Sequence, residues 1–301
     1  MNSLFEGNVL LALAAAVLWG GSDFSGGMGV KRAGGDLRGG LRVVLLSHVS
    51  SLMVLLAIAR MRGYGAPHGA LLGWGLAAGV LGGLSLTAFY VALSRGAMGA
   101  SAAVSGLLAA AIPAAVSLGM DGSPGARPLV GFVVAGVAIW LIAAGPGLEL
   151  ADVAGRSAAR TTMTLATLAG VGFGLYFVAL KMAGPAGVVW SMALARVGSI
   201  AVCSPMLLWV ALRKTNGCEG QVRLGLAAVV WALAAAVMDT SGNMLFIAAT
   251  RVGRLDIASV LASLYPAGTI LLAAVALGER PTRRQALGMA TAAVAVGLIA
   301  L

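Results

Sequence analysis

Long apolar runs follow one another along the 301 residues, each closed by a short polar, glycine-rich turn. Read as helices, they fall at about 8–29, 41–59, 70–94, 100–118, 129–144, 161–182, 190–212, 224–249, 257–278 and 285–301. Runs of roughly 18 or more residues with few charges mark helices able to cross a bilayer. The pattern therefore predicts an all-α membrane protein with ten transmembrane helices. The first run has no basic segment before it and no clear cleavage site after it. It reads as a retained helix rather than a signal peptide.

The pattern also repeats. Arg95 and Arg251 lie 156 residues apart, and Gly131 and Gly288 lie 157 apart. Arg42 precedes Arg196 by 154, the spacing that also separates Trp19-Gly20 from Phe173-Gly174. Pro113 and Pro266 are 153 apart, about one helical turn out of step with their surroundings. One five-helix module written twice fits these landmarks. The first repeat covers residues 1–146, a polar linker 147–160, and the second repeat 161–301. An odd number of crossings brings the second module in from the opposite face, so the two repeats are expected to be inverted around a central cavity. Inverted repeats about a site near the midplane are the architecture of alternating-access transporters.

Composition agrees. The chain is 60% hydrophobic and 10% charged, against about 25% charged in soluble domains. Its net charge of +10 would suggest nucleic acid in a soluble protein. Here the basic residues sit in loops between spans, where they set orientation, and no nucleic-acid partner is expected. Two cysteines, Cys203 and Cys218, and two isolated histidines, His48 and His68, give no metal or disulfide spacing. No cofactor and no metal are expected.

Trp-Gly in helix one, arginine opening helix two, and ALGERPTRRQALG at 276–288 together resemble the EamA-type transporters of the drug/metabolite transporter superfamily. The resemblance extends along the whole chain and is strongest over 245–288. In the first half, Met120-Asp121-Gly122 stands where the family often has Gly-Glu. The resemblance implies a ten-helix basket whose cavity is lined mainly by helices one, three, four, six, eight and nine. It also implies export or facilitated passage of amino acids, aromatic ones included, and related small metabolites. A proton-coupled multidrug or organic-cation exporter is the alternative reading, and a passive channel is another. An intramembrane enzyme would need clustered His, Asp or Ser, and the scattered acids and lone histidines argue against one.

A charge inside the bilayer costs about 2.5–3.5 kcal/mol on insertion scales, which makes ionisable groups within spans functional candidates. Trp19, Ser22 and Asp23 share one face of helix one at i, i+3 and i+4. Asp239 and Asn243 share a face of helix eight at i, i+4, with Gly242 between them allowing close approach. His48, near the middle of helix two, has a side chain suited to proton transfer or to neutral hydrogen bonding. Tyr90, Phe173, Tyr176, Phe177, Trp231 and Tyr265 complete the candidate substrate wall, their ring faces suiting cations. Pro113 and Pro266 are candidate gate positions, since a proline in a span frees a backbone carbonyl. Arg42 and Arg196, near helix starts, are expected to snorkel to the interface or fix helix ends. Trp74, Trp140 and Trp190 are expected at the interfaces.

Loops after odd-numbered helices hold twelve Lys and Arg, and those after even-numbered helices hold six. The positive-inside rule puts the richer set in the cytoplasm and both termini outside. The family resemblance implies cytoplasmic termini instead, and is the reading adopted. A small-molecule substrate, the lipid bilayer, a monomeric state and a bacterial-type inner membrane complete the expectation.

Overall fold

The computed structural model describes residues 2–95, 98–143, 153–213, 224–277 and 282–300. Among these residues it is helical, with short turns. The helices are α1 (Asn2–Arg32), α2 (Leu37–Met61), α3 (Ala70–Ser94), α4 (Met98–Asp121), α5 (Ala126–Ala143) and α6 (Val153–Ala183). They continue as α7 (Val188–Leu212), α8 (Leu226–Val252), α9 (Leu255–Ala262), α10 (Tyr265–Leu277) and α11 (Arg283–Ala300).

Among the described residues, eight segments are long and apolar enough to cross a membrane: α1, α2, α3, α4, α6, α7, α8, and α9 with α10 taken together. That is short of the ten predicted. The apolar part of α5 runs only from Ala126 to Ile142, and α11 opens on Arg283 and Arg284. At 1.5 Å per residue, an 18-residue helix reaches about 27 Å against a hydrocarbon layer of about 30 Å. Of the linker expected at 147–160, residues 153–160 begin α6, and 147–152 lie outside the described residues.

The helix predicted at 257–278 is two helices. Ser263 and Leu264 form a turn between α9 and α10, and Pro266 sits at the second position of α10. A proline is tolerated there because the first turn's N–H groups have no intrahelical acceptor. The break therefore falls just before the proline rather than at it. Pro113 lies inside an α4 that continues past it.

Thr282 and Gln285 start α11 by a reciprocal cap. The Thr282 N–H donates to Gln285 Oε1 at 2.9 Å, and the Gln285 N–H donates to Thr282 Oγ1 at 3.2 Å. This capping box is what the Thr-x-x-Gln of the C-terminal motif builds. Glu279 and Arg280 of that motif lie outside the described residues.

Small residues bring the helices together, as they do where lipid removes the hydrophobic drive. α1 packs along α8 and α3 along α6; α3 and α2 also pack on α7, and α5 packs on α11. The α3–α7 crossing is backbone on backbone: a Cβ at Gly79 would lie 2.1 Å from the Ala195 carbonyl, and one at Gly198 would lie 2.2 Å from that of Leu76. Leucine and valine side chains facing outward, such as Val275, Val237 and Leu226, leave an apolar exterior suited to lipid. The chain is a multi-pass membrane protein.

Candidate functional site

Arg196 corrects the sequence reading. It lies two turns inside α7, which begins at Val188, and is 3% exposed, so it neither snorkels nor caps. α2 and α8 supply the acceptors around it. Its Nη1 meets His48 Nε2 at 2.7 Å, and Nη2 donates to Thr240 Oγ1 at 2.8 Å. Nη2 also forms an ion pair with Asp239 Oδ2. A guanidinium only donates, so His48 Nε2 accepts and the ring proton is on Nδ1. From there it reaches Ser199 Oγ at 2.6 Å.

Asp239 continues the chain of bonds. Asn243 Nδ2 donates to Asp239 Oδ1 at 2.9 Å and to the Asp239 carbonyl at 2.7 Å. The Tyr176 hydroxyl donates to Asn243 Oδ1 at 2.9 Å. The connected set runs Ser199, His48, Arg196, Asp239, Asn243, Tyr176, and draws on α2, α6, α7 and α8. Burying an Arg–Asp pair is offset only when the remaining donors and acceptors are satisfied, which this network largely does.

A cavity of about 20 Å³ opens beside it, lined by His48, Arg196, Ser199, Asp239, Tyr176 and Phe173 among others. That is room for about one water.

A column of rings lies next to the network. Trp19 stacks on Phe177 with centroids 5.0 Å apart and planes 4° from parallel, and meets Tyr265 edge-on at 6.4 Å. Phe89 joins Tyr265, Tyr90 and Phe173. Phe246 packs on Trp19 and Phe177. Ser22 Oγ lies 3.0 Å from the Tyr90 hydroxyl, and the Tyr265 hydroxyl donates to the Ala102 carbonyl and Ser105 Oγ, each at 3.3 Å. Asp23 is buried on the same side of α1, and its Oδ2 has no hydrogen-bond partner.

The structure thus gathers Trp19, Ser22, Asp23, His48, Tyr90, Phe173, Tyr176, Phe177, Asp239, Asn243 and Tyr265 around one core. Trp231 stands apart, half-buried against Phe24 and Met28. Of the proposed gate residues, Pro266 approaches Gly106, where a Cβ would come within 3.3 Å of Pro266 Cγ. Arg196, Thr240, Ser199, Phe89 and Phe246 were not among the sequence candidates. The first had a legible signal in its depth within the apolar run; the hydroxyls and phenylalanines resemble many others in the chain.

Residues 160–301 match the EamA-like transporter family. This half of the chain is an EamA-like transporter domain. The family belongs to the drug/metabolite transporter superfamily and is one of transporters, not enzymes. A solved structure titled "Crystal structure of protein" is similar over 97% of this chain and 94% of its own, with a TM-score of 0.68 and 16% identity. At that identity the likeness concerns the fold. No curated protein matches the sequence.

Proposed function

We propose that this EamA-like protein exports small metabolites bearing an amino group, amino acids first among them, by alternating access across a bacterial-type inner membrane. The observation that carries the reading is the Arg196–Asp239–His48 network, an ionic, hydrogen-bonded site buried among apolar helices. Ionisable groups so placed mark solute or ion paths. The aromatic column beside it suits flat or aromatic solutes.

Two inverted five-helix repeats, packed as a monomer, give this site its means of opening. Four contacts support the inversion. A Cβ at Gly131 would lie 2.5 Å from Ile299 Cγ1, and one at Gly288 would lie 2.8 Å from Ile142 Cγ1. Both Gly131–Gly288 and Ile142–Ile299 span 157 residues, so α5 and α11 exchange equivalent contacts while running antiparallel, the signature of a two-fold relation. α2 and α7 also run antiparallel, with the Trp190 indole at the start of α7 donating to the Tyr64 carbonyl just past α2 at 3.1 Å. At the same end of the bundle, Arg254 before α9 reaches the Asp121 carbonyl at the end of α4, at 3.2 Å.

The second reading, a proton-coupled organic-cation exporter, is favoured by the unpartnered Asp23. A transport screen in proteoliposomes against amino acids and organic cations tests both. Saturable flux with counter-transport is expected. Non-saturating flux would make the protein a channel, and no flux of any solute would overturn the transport reading.

A further inference from the structure

Two arginines stand where α8 gives way to α9, and only one has a partner. Arg254 is bound to Asp256. Arg251, in the last turn of α8, is exposed and makes no ion pair or hydrogen bond among the described residues. Its stem passes Gly184, where a Cβ would lie 3.6 Å from Arg251 Cγ. Arg251 forms one wall of a cavity of about 460 Å³. The other walls are Tyr64 and Gly65, just past α2, and residues 186–190, which lead into and open α7. That volume falls within the range of small-molecule pockets, about 300–1,000 Å³, whereas the cavity beside Arg196 is about 20 Å³.

These residues lie at the ends of apolar spans: one ends at Met61, another begins at Val188, and a third ends at Val252. The cavity is therefore at headgroup depth, the level that tryptophan and tyrosine favour. Trp190 and Tyr64 are both in its wall, tied by the bond from the Trp190 indole to the Tyr64 carbonyl. No carboxylate lines it. Asp256, at the same end of the bundle, is taken by Arg254, and Asp121 accepts from Ser117 Oγ. An unmatched guanidinium in such a place suits a phosphate, which it holds by two parallel N–H···O bonds. The first turn of α7 has no side-chain cap and adds backbone N–H donors to the same wall, but the charge is that of Arg251. Arg60 and Arg62, exposed at the end of α2, add to the positive field. Val54 and Met61, exposed seven residues apart and so on one face of α2, leave apolar surface for an acyl chain.

We propose that this cavity binds the phosphate diester of an anionic phospholipid, with Arg251 as its counter-charge. Basic pockets between transmembrane helices hold anionic headgroups in this way. Phosphate free in water shares the chemistry, but the depth of the cavity and the apolar surface on α2 favour a lipid. A headgroup without an ammonium is preferred, because the cavity has no carboxylate to receive one. Phosphatidylglycerol meets that condition and phosphatidylcholine does not. The walls come from both halves of the chain, Tyr64 and Gly65 from the first, residues 186–190 and Arg251 from the second. A bound lipid therefore holds the halves together at this end of the bundle. The proposal is independent of which solute crosses the core.

Short-chain phosphatidylglycerol, short-chain phosphatidylcholine and inorganic phosphate, each titrated into the full-length protein in neutral detergent, test this, with tryptophan fluorescence and thermal unfolding as readouts. The wild type should bind phosphatidylglycerol saturably, with a raised melting temperature, and about fivefold more tightly than phosphatidylcholine. Arg251→Gln should weaken that binding about tenfold or more. Its lipid-free melting temperature should stay at the wild-type value, since Arg251 has no partner to lose. Arg62→Gln, which changes an arginine outside the cavity wall, should bind as the wild type does. Equal affinity for the two lipids, undiminished binding in Arg251→Gln, or equal losses in Arg251→Gln and Arg62→Gln overturns the proposal. Inorganic phosphate binding as tightly as phosphatidylglycerol overturns the lipid and reassigns the cavity to a soluble phosphate. A photoreactive phosphatidylglycerol needs no variant: it should label residues 64–65 or 186–190, and labelling confined to other segments contradicts the site.

Discussion

Arg196 and Arg254 each hold a buried aspartate, one in the middle of the bundle and the other at its end. Arg254 binds Asp256 through Nε and Nη2, with the shortest contact at 2.8 Å, and also meets the carbonyls of Asp121 and Gly122. Its own carbonyl accepts from Asn8 Nδ2 at 3.1 Å. Asp256 in turn accepts the Ile257 N–H at 2.8 Å. This pair fastens the ends of α1, α4 and α9 together. Its arginine is partly in solvent, with a side chain 28% exposed. Arg196 has no such outlet, and its partners are side chains on two other helices, α2 and α8. The end pair secures backbone at a turn, whereas the central pair arranges side chains around a cavity. A fastener that water can reach opens at modest cost; a buried one opens when something replaces it.

Removing each arginine should separate the two roles. Arg196→Ala strands Asp239 in an apolar interior, and breaking a buried pair from one side costs about 3–5 kcal/mol. Unfolding in detergent should show this as the largest loss, with transport abolished. Arg254→Ala should cost less, about 1–3 kcal/mol, because Asp256 keeps the Ile257 amide and water can reach the end of the bundle. That variant should still bind solute, with altered flux; loss of solute binding equal to that of Arg196→Ala would erase the distinction. Thr240→Ala removes one acceptor from Arg196 and leaves the ion pair intact. A loss of about 1 kcal/mol is expected, with flux reduced but measurable in vesicles.

Asp239, Asn243, His48 and Tyr176 were legible in the sequence because a polar group within an apolar run carries a cost that needs a reason. Arg196 was misread because closeness to a helix start was judged along the chain rather than across the bilayer. Eight residues into α7 is about 12 Å of rise, too deep for an interfacial role once neighbours close around it. The break in the ninth predicted helix was half-legible. Tyr265-Pro266 signalled an irregularity, but the turn at Ser263 and Leu264 depends on contacts with α4, which one sequence does not display. Trp231 and Trp19 are alike as residues, and packing alone puts one in the core and the other beside Phe24. The 157-residue spacing of Gly131 and Gly288 was visible in the sequence, yet the reciprocal Gly131–Ile299 and Gly288–Ile142 contacts come from how α5 and α11 cross.

The claim beneath all of this is that two inverted halves rock about the Arg196 core. Spin labels at Tyr64 and Val252 would report the end of the bundle that holds Arg254, and labels at Arg38 and Arg213 the opposite end. On adding a transported amino acid, pulsed distance measurements should show one pair moving apart as the other closes. Both distances staying fixed while vesicles transport that solute, or both widening together, would contradict the account.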